Sequence, residues 1–175
     1  MNNIIANILR FLILLVVQAA ICQHISLFGY MTPALFLLAL FLLPLELPLS
    51  LQFVIGFATG FVVDAFAHTL GVATFSCTLM MFFRPYVVRF LNGANNVKFE
   101  NIDRPVPGVK DFRWIFLYTL ILTSIYEIIA VLLGTMTFKN FGHTLLVILG
   151  NIVFSVFVIL CVEYIFHPRE KKNEA

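Results

Sequence analysis

Long apolar segments separated by short polar breaks make up most of this chain. The sequence is 61% hydrophobic and 11% charged, whereas a soluble domain is about 45–50% apolar and about 25% charged. A helix that crosses a bilayer needs about 20 apolar residues, with a range of about 17–25. The sequence therefore predicts an all-α, polytopic membrane protein that forms a single domain.

We expect six transmembrane helices in this domain. Their approximate bounds are residues 5–28, 33–47, 51–67, 70–91, 112–134 and 141–166. The second and third segments are short for a full crossing. Each is interpreted either as a separate span or as half of a re-entrant pair.

The distribution of cations predicts the orientation. If both termini lie in the cytoplasm, every Lys and Arg except Lys139 falls on the cytoplasmic side of the membrane, as the positive-inside rule expects. The polar stretch 92–111 then becomes a cytoplasmic loop, which is either a solvated anchor or a docking surface for a partner or for membrane lipid. The basic residues assigned to this connection are Arg84, Arg89, Lys98, Arg104, Lys110 and Arg113.

Four residues spaced four apart, Gly56, Gly60, Asp64 and His68, fall within the third segment and its end. In a helix they share one ridge. The glycines would allow a neighbouring backbone to approach closely. A charge at this depth costs about +2.5 to +3.5 kcal/mol on insertion scales, so the ridge should face protein. Asp64 is interpreted as an internal cap, as a contact to a partner's membrane helix, or as a ligand or proton site.

Three further acidic residues lie in or beside the apolar segments. Glu127 is expected in the outer half of the membrane with Asp64, whereas Glu46 and Glu163 are expected near the inner interface. Charges near helix ends commonly pair or reach the interface without any further function. Glu46 is a candidate partner for Arg10 or Arg84 in this inner layer.

Sequence motifs of catalysis are missing from the chain. It contains no Gly-rich phosphate loop, no G-x-S-x-G elbow, no H-E-x-x-H pair and no CxxC pair, and its three cysteines lie in separate apolar segments. We therefore expect no enzyme activity, no cofactor, no metal site and no nucleic-acid binding.

The run G-F-A-T-G-F-V-V-D-A-F-A-H-T-L-G-V, from Gly56 to Val72, resembles the MreD family of bacterial rod-shape-determining membrane proteins. That family carries a glycine, an aspartate at the end of the third helix and a glycine opening the fourth. Gly60, Asp64 and Gly71 occupy these places. The segment P-L-E-L-P and the stretch F-R-W-I-F-L-Y-T-L also look like parts of shorter family members.

This resemblance implies a non-enzymatic component of the cell-elongation machinery in the bacterial inner membrane. Its partners would be MreC, MreB, RodA and a class B penicillin-binding protein, and it would help to organise lateral peptidoglycan synthesis and cell shape. The fold would be similar to the six-helix substrate-binding subunit of energy-coupling-factor transporters. That relation supplies the alternative function, in which the chain captures a vitamin; the docking pattern A-x-x-x-A expected on the first helix of such a subunit is missing.

Overall fold

A computed structural model describes residues 34–44, 47–92, 112–135 and 141–166. Within these ranges the protein is all-helical. The helices are α1 (Phe36–Phe41), α2 (Leu49–Ala67), α3 (Val72–Asn92), α4 (Phe112–Thr135) and α5 (Phe141–Phe166). The bounds of α2 to α5 fall within two residues of the predicted segments, because each apolar run ends at a glycine, proline or polar residue that a helix does not readily continue through.

Three of these helices are long and apolar enough to cross a membrane. They are α2, α4 and, within α5, the stretch Thr144–Ile165. A segment of this length and hydropathy is a transmembrane helix candidate. The chain is therefore a membrane-embedded helical protein, while the total of six spans and the likeness to vitamin-binding subunits remain predictions.

Helix α1 differs from the span expected over residues 33–47. It has six residues, all of them buried, and at a rise of about 1.5 Å per residue it is about 9 Å long, far less than a bilayer core of about 30 Å. Its ring contacts show its direction: Phe36 packs edge-on against Tyr126, and Phe41 packs against Tyr118. Helix α1 thus runs antiparallel to α4 inside the protein.

The longer helices pack in sequence order. Helix α2 packs against α3, α3 against α4, and α4 against α5, while α1 also contacts α5. The main core includes α1, Met80 and Met81 of α3, and Leu122 of α4. Trp114 Nε1 donates to Asn92 Oδ1 over 2.9 Å, which joins the end of α3 to the start of α4.

Several sequence predictions fall on residues outside the described ranges. They concern the first span (5–28), the intramembrane Glu46, the basic residues Lys98, Arg104 and Lys110, and residues 93–111 of the loop.

Candidate functional site

The glycine ridge of α2 is packed against the chain's own helix α3. A Cβ atom added to Gly60 would lie 2.4 Å from Thr74 Cα and 2.7 Å from Ala73 O. At Gly56 the nearest atom would be Met81 Cγ at 2.8 Å. Two backbones can approach this closely only where a side chain is missing. The helix that occupies this ridge is therefore the chain's own neighbouring helix, α3.

Asp64 caps the N-terminus of α3 from the preceding helix. Its Oδ1 accepts from the Ala73 N–H (2.9 Å) and the Thr69 hydroxyl, and its Oδ2 accepts from the Thr74 N–H (2.7 Å) and hydroxyl (2.6 Å). Ala73 and Thr74 are the second and third residues of α3, whose N–H groups have no partner within the helix. The carboxylate also complements the positive end of the helix dipole. Of the three interpretations of Asp64, the internal cap is the one that this geometry shows.

His68 and Gly71 form the turn between α2 and α3. His68 is the C-cap of α2 in the left-handed conformation, with φ 54°, and it is exposed. The expectation that His68 continues the ridge is therefore wrong, because the helix ends at Ala67. Gly71 has φ +82°, a conformation that residues with a Cβ atom rarely adopt. The ridge instead continues in the other direction to Gln52, which is buried and also four residues from Gly56.

An open groove of about 520 Å³ lies beside this helix pair. Its lining residues are Phe57, Phe61, Asp64, Ala65, Thr69, Gly71, Thr74, Phe75 and Thr78. The three phenylalanines are 54–61% exposed, and the residues between them are small. Among the lining residues that the structure describes, Asp64 carries the one formal charge. The groove is thus an aromatic-walled surface at whose edge lies the buried Asp64 carboxylate.

Arg84 was expected in a cytoplasmic basic connection, and the structure corrects this. The residue lies within α3 and is 1% exposed. Its Nε donates to the Tyr118 hydroxyl (2.7 Å), and its Nη2 donates to the carbonyls of Phe41 (3.2 Å) and Leu43. A buried guanidinium needs several acceptors, and the C-terminal end of the short helix α1 supplies them. Arg89 and Arg113, which are exposed, also lie within helices, α3 and α4 respectively.

We expect Arg84→Lys to destabilise the protein. Lysine keeps the charge, but its single nitrogen cannot reach Tyr118 and both carbonyls at once. Each charge-assisted hydrogen bond that is lost costs about 1.5–3 kcal/mol. Thermal unfolding in detergent measures this effect. Arg89→Lys, the same change at an exposed position of the same helix, is the control, and equal melting temperatures of the two variants would contradict the role assigned to Arg84.

Glu127 is buried in a polar cluster between α4 and α5. It is 3% exposed, and it accepts from Asn151 Nδ2 (3.2 Å) and from the Ser155 hydroxyl (3.0 Å). Ser155 Oγ in turn accepts from the N–H of Ala34, just before α1 (3.2 Å). The short helix is therefore held near its start by Ser155 and at its end by Arg84.

Asp64 and Glu127, which were both expected in the outer half of the membrane, have separate sets of hydrogen-bond partners within the described ranges. Asp64 bonds to the α2–α3 turn and the start of α3, whereas Glu127 bonds to α5. Glu163, the third acidic residue, is 4% exposed within α5. Glu46 lies outside the described residues, so its pairing with Arg84 stays a prediction.

Sequence reasoning missed several members of these networks. They are Gln52, whose Oε1 accepts from Arg84 Nη1 (3.4 Å), and Thr69, Thr74, Tyr118, Asn151 and Ser155. Asn151 and Ser155 had a usable signal, because they are polar residues spaced four apart in a highly apolar segment and so share one helix face. Tyr118 had no comparable signal, since tyrosine is ordinary in a membrane helix.

The described part of the chain contains no group of three or more His, Cys, Asp or Glu residues that could hold a metal ion. Fold and site together define a multi-pass helical membrane protein with buried hydrogen-bonded polar groups between its helices. No known protein family, curated protein or solved structure matches the chain.

Proposed function

We propose that this protein is a non-enzymatic scaffold of the bacterial cell-elongation complex, as its resemblance to the MreD family implies. It would act in the inner membrane, with both termini in the cytoplasm, beside MreC, MreB, RodA and a class B penicillin-binding protein. The observation that carries this proposal is the groove between α2 and α3. The two helices that line it are joined by the close contact at Gly60 and by the cap at Asp64.

The occupant that we propose for the groove is a membrane-spanning helix of the partner, by resemblance that of MreC. Phe57, Phe61 and Phe75 form walls around small residues, so side chains of a second helix can interdigitate there, which is how helices associate in lipid. The small residues of the groove support a protein occupant, because small residues let the backbone of a second helix approach closely.

The proposal also gives a physical reason for the family-like residues. The proposal needs no reactive role for Gly60, Asp64 and Gly71. Each of them instead affects where α3 begins or how closely α3 packs on α2. The position of the groove walls depends on that packing. The residues of the resemblance would therefore act through the shape of the docking surface.

We expect a photocrosslinking residue at Ala65 to form an adduct with the membrane helix of MreC when both proteins are expressed together. Ala65 lines the groove and is exposed. The matched control places the same residue at Val153, which is 68% exposed on α5. Adducts are identified by mass spectrometry.

A second variant, Ala65→Phe, should fill the groove and reduce co-purification of MreC, whereas Val153→Phe should not. Adducts to lipid alone at both positions, or equal recovery of MreC with both variants, would remove the groove as the docking surface. Asp64 variants are unsuitable for this test, because they also disturb the start of α3.

The alternative function is a substrate-binding subunit of an energy-coupling-factor type vitamin transporter. The observation in its favour is the buried polar cluster of Glu127, Asn151 and Ser155, which a purely apolar scaffold does not need. Purification in mild detergent separates the two functions. A scaffold retains MreC, whereas a vitamin-binding subunit retains a stoichiometric small molecule and a transporter ATPase pair.

A further inference from the structure

The cluster around Glu127 has a carboxylate but no described counter-charge. Among the described residues its hydrogen-bond partners are the amide of Asn151 and the hydroxyl of Ser155, both neutral. Glu127 is 3% exposed and lies within a helix that is apolar enough to span the membrane. An isolated ionised carboxylate at such a place costs several kcal/mol, so a positive charge should neutralise it.

Two oxygen atoms on the same two helices have no hydrogen-bond partner among the residues that the structure describes. They are Asn151 Oδ1 and Thr123 Oγ1, and their residues are 6% and 0% exposed. Asn151 Nδ2 lies 3.2 Å from the carboxylate, so the amide group of Asn151 is next to Glu127. Thr123 lies one turn before Glu127 on the same face of α4. Buried polar atoms without partners are rare in proteins and call for an explanation.

A proton and a metal cation differ in what they explain here. A proton on Glu127 removes the charge and, with the Asn151 amide turned over, also gives the Asn151 carbonyl oxygen a donor, but the hydroxyl of Thr123 stays without a partner. A cation neutralises the carboxylate and accepts both of these oxygens as ligands. Carboxylate, amide carbonyl and hydroxyl oxygens are ligands for hard cations, not for the softer metals that prefer Cys and His.

We propose that Glu127, Asn151 and Thr123 form a binding site for a sodium ion between α4 and α5. A single carboxylate matches the single charge of Na⁺, so a fully occupied site is neutral in the low-dielectric interior. The bound ion also fixes the Glu127 side chain, which orients Ser155 and through it the start of α1. The site is formed by other helices than the groove, so it does not rest on the scaffold function.

The test is binding of radioactive sodium to the purified full-length protein in detergent, with choline chloride keeping the ionic strength constant. We expect saturable binding at a single site and a melting temperature that rises with sodium concentration. Glu127→Gln should abolish both effects. Thr123→Val, which keeps the shape but removes the oxygen, should weaken binding about 10- to 100-fold with little change of the melting temperature in choline.

Glu163→Gln is the matched control. It removes the carboxyl group of a second buried glutamate, which lies in α5 and is 4% exposed. This variant should leave sodium binding unchanged. Wild-type protein without saturable sodium binding, or a Thr123→Val variant that binds sodium as wild type does, would overturn the proposal. A melting temperature that responds to pH but not to sodium would assign the neutralising charge to a proton, and this result would overturn it as well.

Discussion

Gly60→Ala is expected to separate α2 from α3 and to destabilise the protein strongly. The added Cβ would lie 2.4 Å from Thr74 Cα and 2.7 Å from Thr74 N, both of them backbone atoms that cannot rotate away. Overpacking of a core costs about 1–3 kcal/mol and occasionally more. We expect a loss at the upper end of this range, because moving Thr74 also disturbs its hydrogen bonds to Asp64.

Other glycines of the chain supply a graded control for this prediction. At Gly56 the nearest atom to an added Cβ is the flexible Met81 side chain, and at Gly134 nothing lies within 4 Å. Alanine is favoured over glycine in a helix interior by up to about 1 kcal/mol, so Gly134→Ala should be neutral or slightly stabilising. Thermal unfolding in detergent should rank Gly60→Ala below Gly56→Ala and Gly56→Ala below Gly134→Ala. Equal melting temperatures would show that α2 and α3 are not in close contact at Gly60.

Asp64→Asn is expected to loosen the start of α3 although the size of the side chain is unchanged. Asparagine has one acceptor oxygen and an NH₂ group in place of the second. The backbone N–H of either Ala73 or Thr74 must then point at the NH₂ group, which is also a donor. A backbone N–H, unlike a hydroxyl, cannot rotate to find another acceptor. A hydrogen bond to a charged group is worth about 1.5–3 kcal/mol, so we expect a loss of at least this size.

Hydrogen exchange gives this second prediction a local readout. The amides of Ala73 and Thr74 should exchange faster in Asp64→Asn, and faster still in Asp64→Ala, while exchange in α5 stays unchanged. Thr69→Val removes one neutral hydroxyl from the cap and should have the smallest effect. Unaltered exchange at Ala73 and Thr74 in Asp64→Asn would contradict the capping role.

The positions of the helices could be predicted because they depend on the hydropathy of each segment by itself. In lipid every backbone N–H and C=O must be bonded within its own segment or to a neighbour, so a long apolar run becomes a helix wherever it packs. The ridge of Gly56, Gly60 and Asp64 followed from helical periodicity for the same reason. What periodicity could not decide was which helix occupies the ridge.

The buried polar contacts could not be predicted, because they depend on distances across the chain. Arg84 looked like one more cation of a basic connection, and its positive charge alone favours that interpretation. It is buried because α1 stops after six residues and leaves carbonyl oxygens in the interior, 41 and 43 residues earlier in the sequence. Periodicity within one segment says nothing of such a partner.

Hydropathy and residue spacing were enough to predict that the chain is helical, that it lies in a membrane, and that Gly56, Gly60 and Asp64 share one helix face. These properties depend on hydropathy and on residues within a few positions of each other. Three contacts became known only from the folded chain: Asp64 caps the next helix, Arg84 and Ser155 hold a short buried helix, and Glu127 accepts a hydrogen bond from Asn151. Each of these depends on packing, which brings distant polar groups together because a buried polar group without a partner costs free energy in an apolar interior.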